Sequence, residues 1–182
     1  AIDVVKKVDS VPAVAIEDGT GEYDEKIKSG FFNAFLTDLN VLSLFNVDKN
    51  YRRVDYSMSG VAMENKNASL VFRYRLLKDV GNALKVELKV FEKGELIQNK
   101  IYKINNSSAY MFLSHNIAYD INQFMGEPPV EWIRKKVIFS RMVSSKKSEI
   151  VISDYSLSYQ HVIVKNGFNT FPKWANKEQS GF

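Results

Sequence analysis

Apolar residues in this chain follow two rhythms, one of three and four and one of two, and the alternation between them lays out the elements. Residues 11–17 (VPAVAIE) form a nearly continuous apolar run. Such a run predicts a strand buried on both faces, and Pro12 belongs at its first residues or on an edge. Residues 18–22 (DGTGE) read as a turn. From residue 24 to about residue 42 the spacing is helical, with Ile27, Phe31, Phe35, Leu39 and Leu42 making one apolar stripe and Phe32, Leu36 and Val41 widening it. Residues 44–47 suggest a short strand. The polar stretch 48–68 keeps no period, and a short helix over 57–66 is the expectation there.

Strict alternation follows. Leu70, Phe72, Tyr74 and Leu76 interleave with Val71, Arg73, Arg75 and Leu77, and Leu84, Val86, Leu88 and Val90 interleave with Lys85, Glu87 and Lys89. Lys93 and Gly94 turn the chain into a third strand over 96–104, closing a hairpin. Ser107 or Ser108 is placed to cap a second helix, whose expected buried stripe is Leu113, Ile117, Ile121 and Phe124. Gly126 sits where a C-terminal glycine belongs, and Pro128–Pro129 blocks continuation. Beyond that point only short strands are expected, over 136–142, 149–155 and 161–165. Short, regularly spaced strands suggest a sandwich, barrel or propeller. About 50 residues make roughly one propeller blade, and one blade cannot bury its own faces. On this reading the natural protein continues past Phe182.

Composition adds exclusions. Hydrophobic residues make up 45% and aromatics 13% of the 182 residues, enough for a core and too apolar for disorder. The net charge of +4 comes from 25 basic and 21 acidic side chains, a mild excess that does not by itself indicate nucleic acid. The absence of cysteine excludes disulfides, thiolate metal sites and cysteine nucleophiles. No stretch approaches the ~18 apolar residues of a membrane helix. The first residue is Ala1, read as the start of a processed or trimmed form.

Candidate chemistry is sparse. His115 and His161 stand alone, without the spacing of a zinc helix, and read as surface or boundary histidines. Gly19, Thr20 and Gly21 lie between a strand and a helix, the place of a phosphate loop, yet a following Lys and a third glycine are missing, so a plain turn is expected. The acidic cluster Glu17, Asp18, Glu22, Asp24 and Glu25 lacks the spacing of a calcium loop and reads as dressing for a helix N-terminus. Arg73, Arg75 and Lys78 beside Phe72 and Tyr74 could form a stacking platform for single strands. Alternation, however, puts the arginines on one face and the aromatics on the other. No Gly-x-Ser-x-Gly elbow is present, which removes the usual hydrolase signature.

Three stretches of text carry a family likeness. Residues 135–140 (KKVIFS) resemble the family's "R-I-A-Y-V-S", residues 150–155 (IVISDY) its "L-Y-V-A-D-Y-D-G", and residues 171–174 (FPKW) the opening of "S-P-A-W-S-P-D-G". Upstream, a strand, a helix with Asp38–Leu39 near its end, a Val-Phe-Arg-Tyr-Arg-Leu strand, a hairpin and a helix ending near Gly126 follow in the same order. The chain thus resembles the TolB family of periplasmic Tol-Pal proteins along nearly its whole length. It departs from the pattern after Trp174, where Ala-Asn-Lys-Glu-Gln replaces Ser-Pro-Asp-Gly, and at Ser156–Leu157, where the family has an Asp-Gly turn.

The resemblance implies an α+β fold: a mixed β-sheet with two main helices, followed by a partial β-propeller blade. It divides the chain into a 1–10 arm, an 11–130 α/β domain and a 131–182 first blade. It also implies a periplasmic binding protein without enzymatic activity or cofactor, linking the inner-membrane protein TolA to the peptidoglycan-associated lipoprotein Pal, with nucleic acid not among its partners. In that family the N-terminal strand binds TolA. The corresponding residues here are Ala1, Ile2, Asp3, Val4, Val5, Lys6, Lys7 and Val8, an arm suited to adding a strand to a partner's sheet, while the Pal site lies on the propeller. The competing expectation is a stand-alone α/β adaptor module of an outer-membrane assembly or secretion system.

Overall fold

A computed structural model describes residues 10–182, and the chain divides into two compact units, Ala1–Ser107 and Ser108–Phe182. The boundary expected at residues 126–129 falls inside the second unit.

The first unit is a five-stranded sheet in the order β2-β1-β3-β4-β5, formed by β1 (Ala13–Asp18), β2 (Asn46–Val47), β3 (Leu70–Lys78), β4 (Leu84–Glu92) and β5 (Glu95–Ile104). β1 runs parallel to both neighbours, and β3, β4 and β5 are antiparallel. The sheet is therefore mixed, and the flanking of β1 on both sides explains its unbroken apolar run. Helix α1 (Glu25–Val41) starts where Asp24 accepts the Ile27 amide at 2.9 Å, satisfying one of the free N–H groups of its first turn. Its stripe buries Phe31, Phe35 and Leu39. Phe31 meets Tyr74 at 4.8 Å and Phe35 meets Phe72 at 6.0 Å between ring centroids, so α1 covers the sheet face that carries the β3 aromatics. Burying each such ring contributes about 2–3 kcal/mol.

The opposite face is covered by chain rather than by a helix. Ala15, Val71 and Phe91 are buried there with Val61 and Ala68 packed against them, so the segment between β2 and β3 lies over the sheet. Within it the expected 57–66 helix shrinks to a single 3-10 turn, Met63–Asn65. Gly60 has φ +69°, a backbone state that a continuous right-handed helix excludes.

The second unit holds α2 (Met111–Phe124), a 3-10 turn at Glu131–Arg134, and an antiparallel sheet β6-β7-β8 formed by Val137–Ser144, Lys147–Ser153 and Gln160–Val164. Leu113, Ile117 and Ile121 are buried as expected, whereas Phe124 is 51% exposed. It lies in the last turn, after which Gly126 adopts φ +74° and its N–H donates to the Gln123 carbonyl. That is the glycine-terminated end the sequence predicts. The expected serine cap is not formed by Ser107. Its N–H and hydroxyl bond to Asn82 in the β3–β4 turn, and α2 is instead preceded by a 3-10 turn, Ser107–Ala109. Among the described residues no helix is long and apolar enough to cross a membrane.

Candidate functional site

The eight arm residues, Ala1 to Val8, lie outside the described residues. What the structure describes is the root from which they depart. Pro12 accepts the Asn46 amide at 3.0 Å on one side, and Ala13 accepts the Ser69 amide at 2.8 Å on the other. The root is thus hydrogen-bonded from both flanks of β1.

Five residues further on, β1 carries the unit's most buried polar pair. Glu17 and Arg73 expose none of their side-chain surface and approach to 2.6 Å. Arg73 donates from Nε and Nη2 to Glu17 Oε2, and also to the carbonyls of Met58 and Gly60 at 2.6 Å each. Glu17 Oε1 accepts the Ala62 amide at 2.8 Å and Asn65 Nδ2 at 2.7 Å. One ion pair therefore clamps four points of the covering segment, Met58, Gly60, Ala62 and Asn65. A buried pair of this kind holds its geometry only when the surrounding hydrogen bonds are satisfied, and here they come from the segment being held. The basic strand is correspondingly no nucleic-acid platform. Arg73 is sealed inside, and Arg75 bonds Glu87 at 2.8 Å while lying 4.1 Å over the Tyr56 ring.

The turn after β1 is filled too. Gly19 N–H donates to the Tyr74 carbonyl at 2.7 Å, and Thr20 Oγ1 accepts the Leu76 amide. A Cβ on Gly19 would stand 2.8 Å from Tyr56 Cβ. The space a phosphate would need is occupied by Tyr56, which agrees with a plain turn. The acidic cluster divides. Asp24 and Glu25 dress the start of α1, whereas Glu17 and Asp18 are buried. Asp18 accepts the Thr20 amide and the Tyr51 hydroxyl, both at 2.8 Å. Burial, and then this carboxylate, push the Tyr51 hydroxyl up to about 12.

In the second unit His115 departs from the surface position expected of it: it is 1% exposed, and its Nε2 lies 3.0 Å from Asp154 Oδ2. Phe112 and Tyr155 flank the imidazole at 5.7 and 4.9 Å between ring centroids. Asp154 also accepts the amides of Ser156 and Tyr159 and the Ser156 hydroxyl. Burial alone would raise this carboxyl, but His115 and these donors hold it well below the ordinary carboxylate range. Ser156 bonds to the carboxylate rather than standing at the imidazole, which is the wrong end of the dyad for a nucleophile. The pair reads as a structural tie between α2 and the β7–β8 turn. His161 is exposed on β8. Among the described residues no group of three or more acidic or histidine side chains gathers as a metal site.

No family model matches the chain. It is 36% identical over 181 residues to the Tol-Pal system protein TolB of Campylobacter jejuni, covering 100% of this chain and 42% of that protein. It is 32% identical over 183 residues to the TolB of Wolinella succinogenes, covering 98% of this chain and 43% of that protein. A crystal structure of TolB from Acinetobacter baumannii superposes on 87% of this chain and 39% of that one, with a TM-score of 0.55 and 13% identity, a likeness of fold. The chain thus spans well under half the length of the curated relatives it matches.

Proposed function

We propose, from the premise that this chain is homologous along its whole length to the N-terminal part of the TolB proteins of the Tol-Pal system, that it is a protein-binding component of that system in the periplasm. In this reading it has no enzymatic role. The arm, Ala1 to Val8, pairs with TolA, and the whole protein reaches Pal through its propeller, so that it links the two for outer-membrane integrity and constriction at division.

The observation that carries the reading is the 36% identity across all 181 aligned residues. Two features of the described residues support it. The arm issues from a root bonded on both flanks of a buried strand, which suits a segment that must transmit a pull. The buried carboxylates of Asp154 and Glu17 are engaged in structural ties, each with both oxygens bonded. An extended arm carrying Ile2, Val4, Val5 and Val8 would bind by adding a strand to its partner's sheet, with backbone bonds giving affinity and alternate side chains giving specificity.

Calorimetric titration with the soluble C-terminal domain of the cognate TolA tests this, using the full chain and a version lacking residues 1–9. Binding by the full chain that disappears with the deletion is the expected result. Equal binding by both, or by neither, would overturn the assignment of the arm.

A further inference from the structure

Asn166 and Gly167 are the chain's single Asn-Gly pair. They lie in the bend that follows β8, and both are exposed. Among the described residues the Asn166 carboxamide makes no hydrogen bond, and the Gly167 N–H donates to none. Gly167 adopts φ +89°, which glycine holds without strain, and it has no Cβ to shield its nitrogen.

These features describe a nucleophile and an electrophile left free side by side. The nitrogen after an asparagine can reach the side-chain carbonyl carbon by closing a five-membered ring, an intramolecular attack favoured by proximity. It is hindered when that nitrogen is hydrogen-bonded or the side chain is pinned. Asp18–Gly19 supplies the contrast within the same chain. Its residues could close the same ring, yet Asp18 is 1% exposed and holds the Thr20 amide and the Tyr51 hydroxyl, while the Gly19 N–H donates to the Tyr74 carbonyl at 2.7 Å. The fold locks one pair and leaves the other open.

We propose that Asn166–Gly167 is a site of spontaneous covalent modification in the folded protein, converting Asn166 to aspartate and isoaspartate. The Gly167 nitrogen bonds to Asn166 Cγ, the Cγ–Nδ2 bond breaks, and Nδ2 leaves as ammonia with the proton from the Gly167 amide. Solvent water then opens the cyclic imide at either carbonyl. Opening at one gives aspartate, and opening at the other routes the backbone through the side chain. The second product adds a carbon to the main chain where the bend is tied to β7. The Gly167 carbonyl accepts the Ser148 amide at 3.1 Å, the Asn166 carbonyl accepts Asn169 Nδ2 at 2.9 Å, and that same Nδ2 donates to the Ser148 carbonyl at 3.1 Å. Ser148 is wholly buried. The isoaspartyl form therefore loosens the tie on Ser148. None of this involves the arm, so the calorimetric result leaves the site standing.

The test is to age the full chain in mildly alkaline buffer and map its peptides by mass spectrometry, with a synthetic peptide of residues 160–172 as the unshielded reference. Residue 166 should gain ~1 Da, from exchange of NH2 for OH, as two separable products. The rate in the folded chain should lie within about tenfold of the peptide's, a barrier difference below ~1.4 kcal/mol. Asn67, exposed but followed by Ala68, should stay unchanged, and Asn166→Gln should lose the gain. In hydrogen exchange the isoaspartyl fraction should lose protection at the Ser148 amide while the unmodified fraction keeps it. A folded chain slower than the peptide by about a hundredfold or more would show that the bend shields the pair and would overturn the proposal, as would a gain that persists in Asn166→Gln. Equal protection of Ser148 in the two fractions would overturn the loosening.

Discussion

Glu17 and Arg73 are register partners on adjacent parallel strands, and their ion pair, 2.6 Å long and wholly buried, is also the anchor of the segment that covers it. The relationship is reciprocal. The segment shields the pair from water, and the pair supplies the hydrogen bonds that hold the segment down. Removing one partner therefore acts twice, by stranding a charge and by freeing a cover.

Arg73→Met should cost about 3–5 kcal/mol, the range for leaving a buried carboxylate without its cation. Loss of the cover should appear as well. In native-state hydrogen exchange the Ala62 amide, which donates to Glu17, should lose protection along with the β1 and β3 amides. A variant with unchanged protection at Ala62 would show that the segment is held by its apolar contacts at Val61 and Ala68 instead.

Gly19 and Gly21 lie two residues apart in one turn but face opposite conditions. A Cβ at Gly19 would meet Tyr56 Cβ at 2.8 Å and Tyr56 Cα at 3.0 Å, whereas at Gly21 nothing lies within 4 Å. Gly19→Ala must displace the backbone at Tyr56, and with it a ring that packs under Arg75 at 4.1 Å and Lys89 at 4.4 Å. It should destabilise the chain by about 1–3 kcal/mol. Gly21→Ala should be neutral or stabilising by a few tenths of a kcal/mol, since it restricts only the unfolded chain. Urea denaturation followed by circular dichroism compares the two, and equal effects would contradict the close approach of Tyr56.

The α2 stripe separates in the same way. Ile121 is 4% and Phe124 51% exposed, although their spacing places both on one helical face. Ile121→Ala should cost about 2–4 kcal/mol, and Phe124→Ser should stay within about 0.5 kcal/mol of the parent. Thermal melts of the two variants are sufficient to distinguish them.

These cases mark what the sequence made legible. Periodicity located α1, since Phe31, Phe35 and Leu39 recur at helical spacing and all three are buried. It also located β4, whose Leu84, Val86, Leu88 and Val90 are the buried half of a clean alternation. Alternation separated the β3 arginines from its aromatics correctly. It did not reveal that Arg73 is sealed, because the cover depends on Glu17, 56 residues away, and on a stretch with no period of its own. His115 was missed for a similar reason. Its partner Asp154 is 39 residues away, and a lone histidine next to an apolar stripe carries no local sign of a distant carboxylate. The family likeness contained half the signal, since Asp154 falls in the IVISDY stretch. The signal it lacked was the pairing of α2 with the β7–β8 turn. The arm, the site the family likeness points to, lies outside the described residues.

Asp154 makes the last prediction one of pH. Its carboxyl is held below the ordinary value by His115, by the Ser156 and Tyr159 amides and by the Ser156 hydroxyl, against the upward pull of burial. A carboxyl with a depressed folded-state value binds its proton less readily when folded than when unfolded, where it titrates near 3.9. Its contribution to stability is therefore complete above about pH 5 and is lost progressively as the pH falls through and below 4. Trp132 stacks edge-on against Tyr155 at 5.2 Å, so its fluorescence reports on this corner. Unfolding of the parent chain by urea, followed through that fluorescence, should give a midpoint that is flat from pH 7 to 5 and falls steeply below 4. Asp154→Asn keeps the shape but removes the charge from the bonds to His115 and the two amides. It should lower stability by about 2 kcal/mol at pH 7 and lessen the fall below pH 4. If the two chains lose stability in parallel on acidification, the acid sensitivity arises elsewhere, and the His115–Asp154 contact is a packing contact without electrostatic weight.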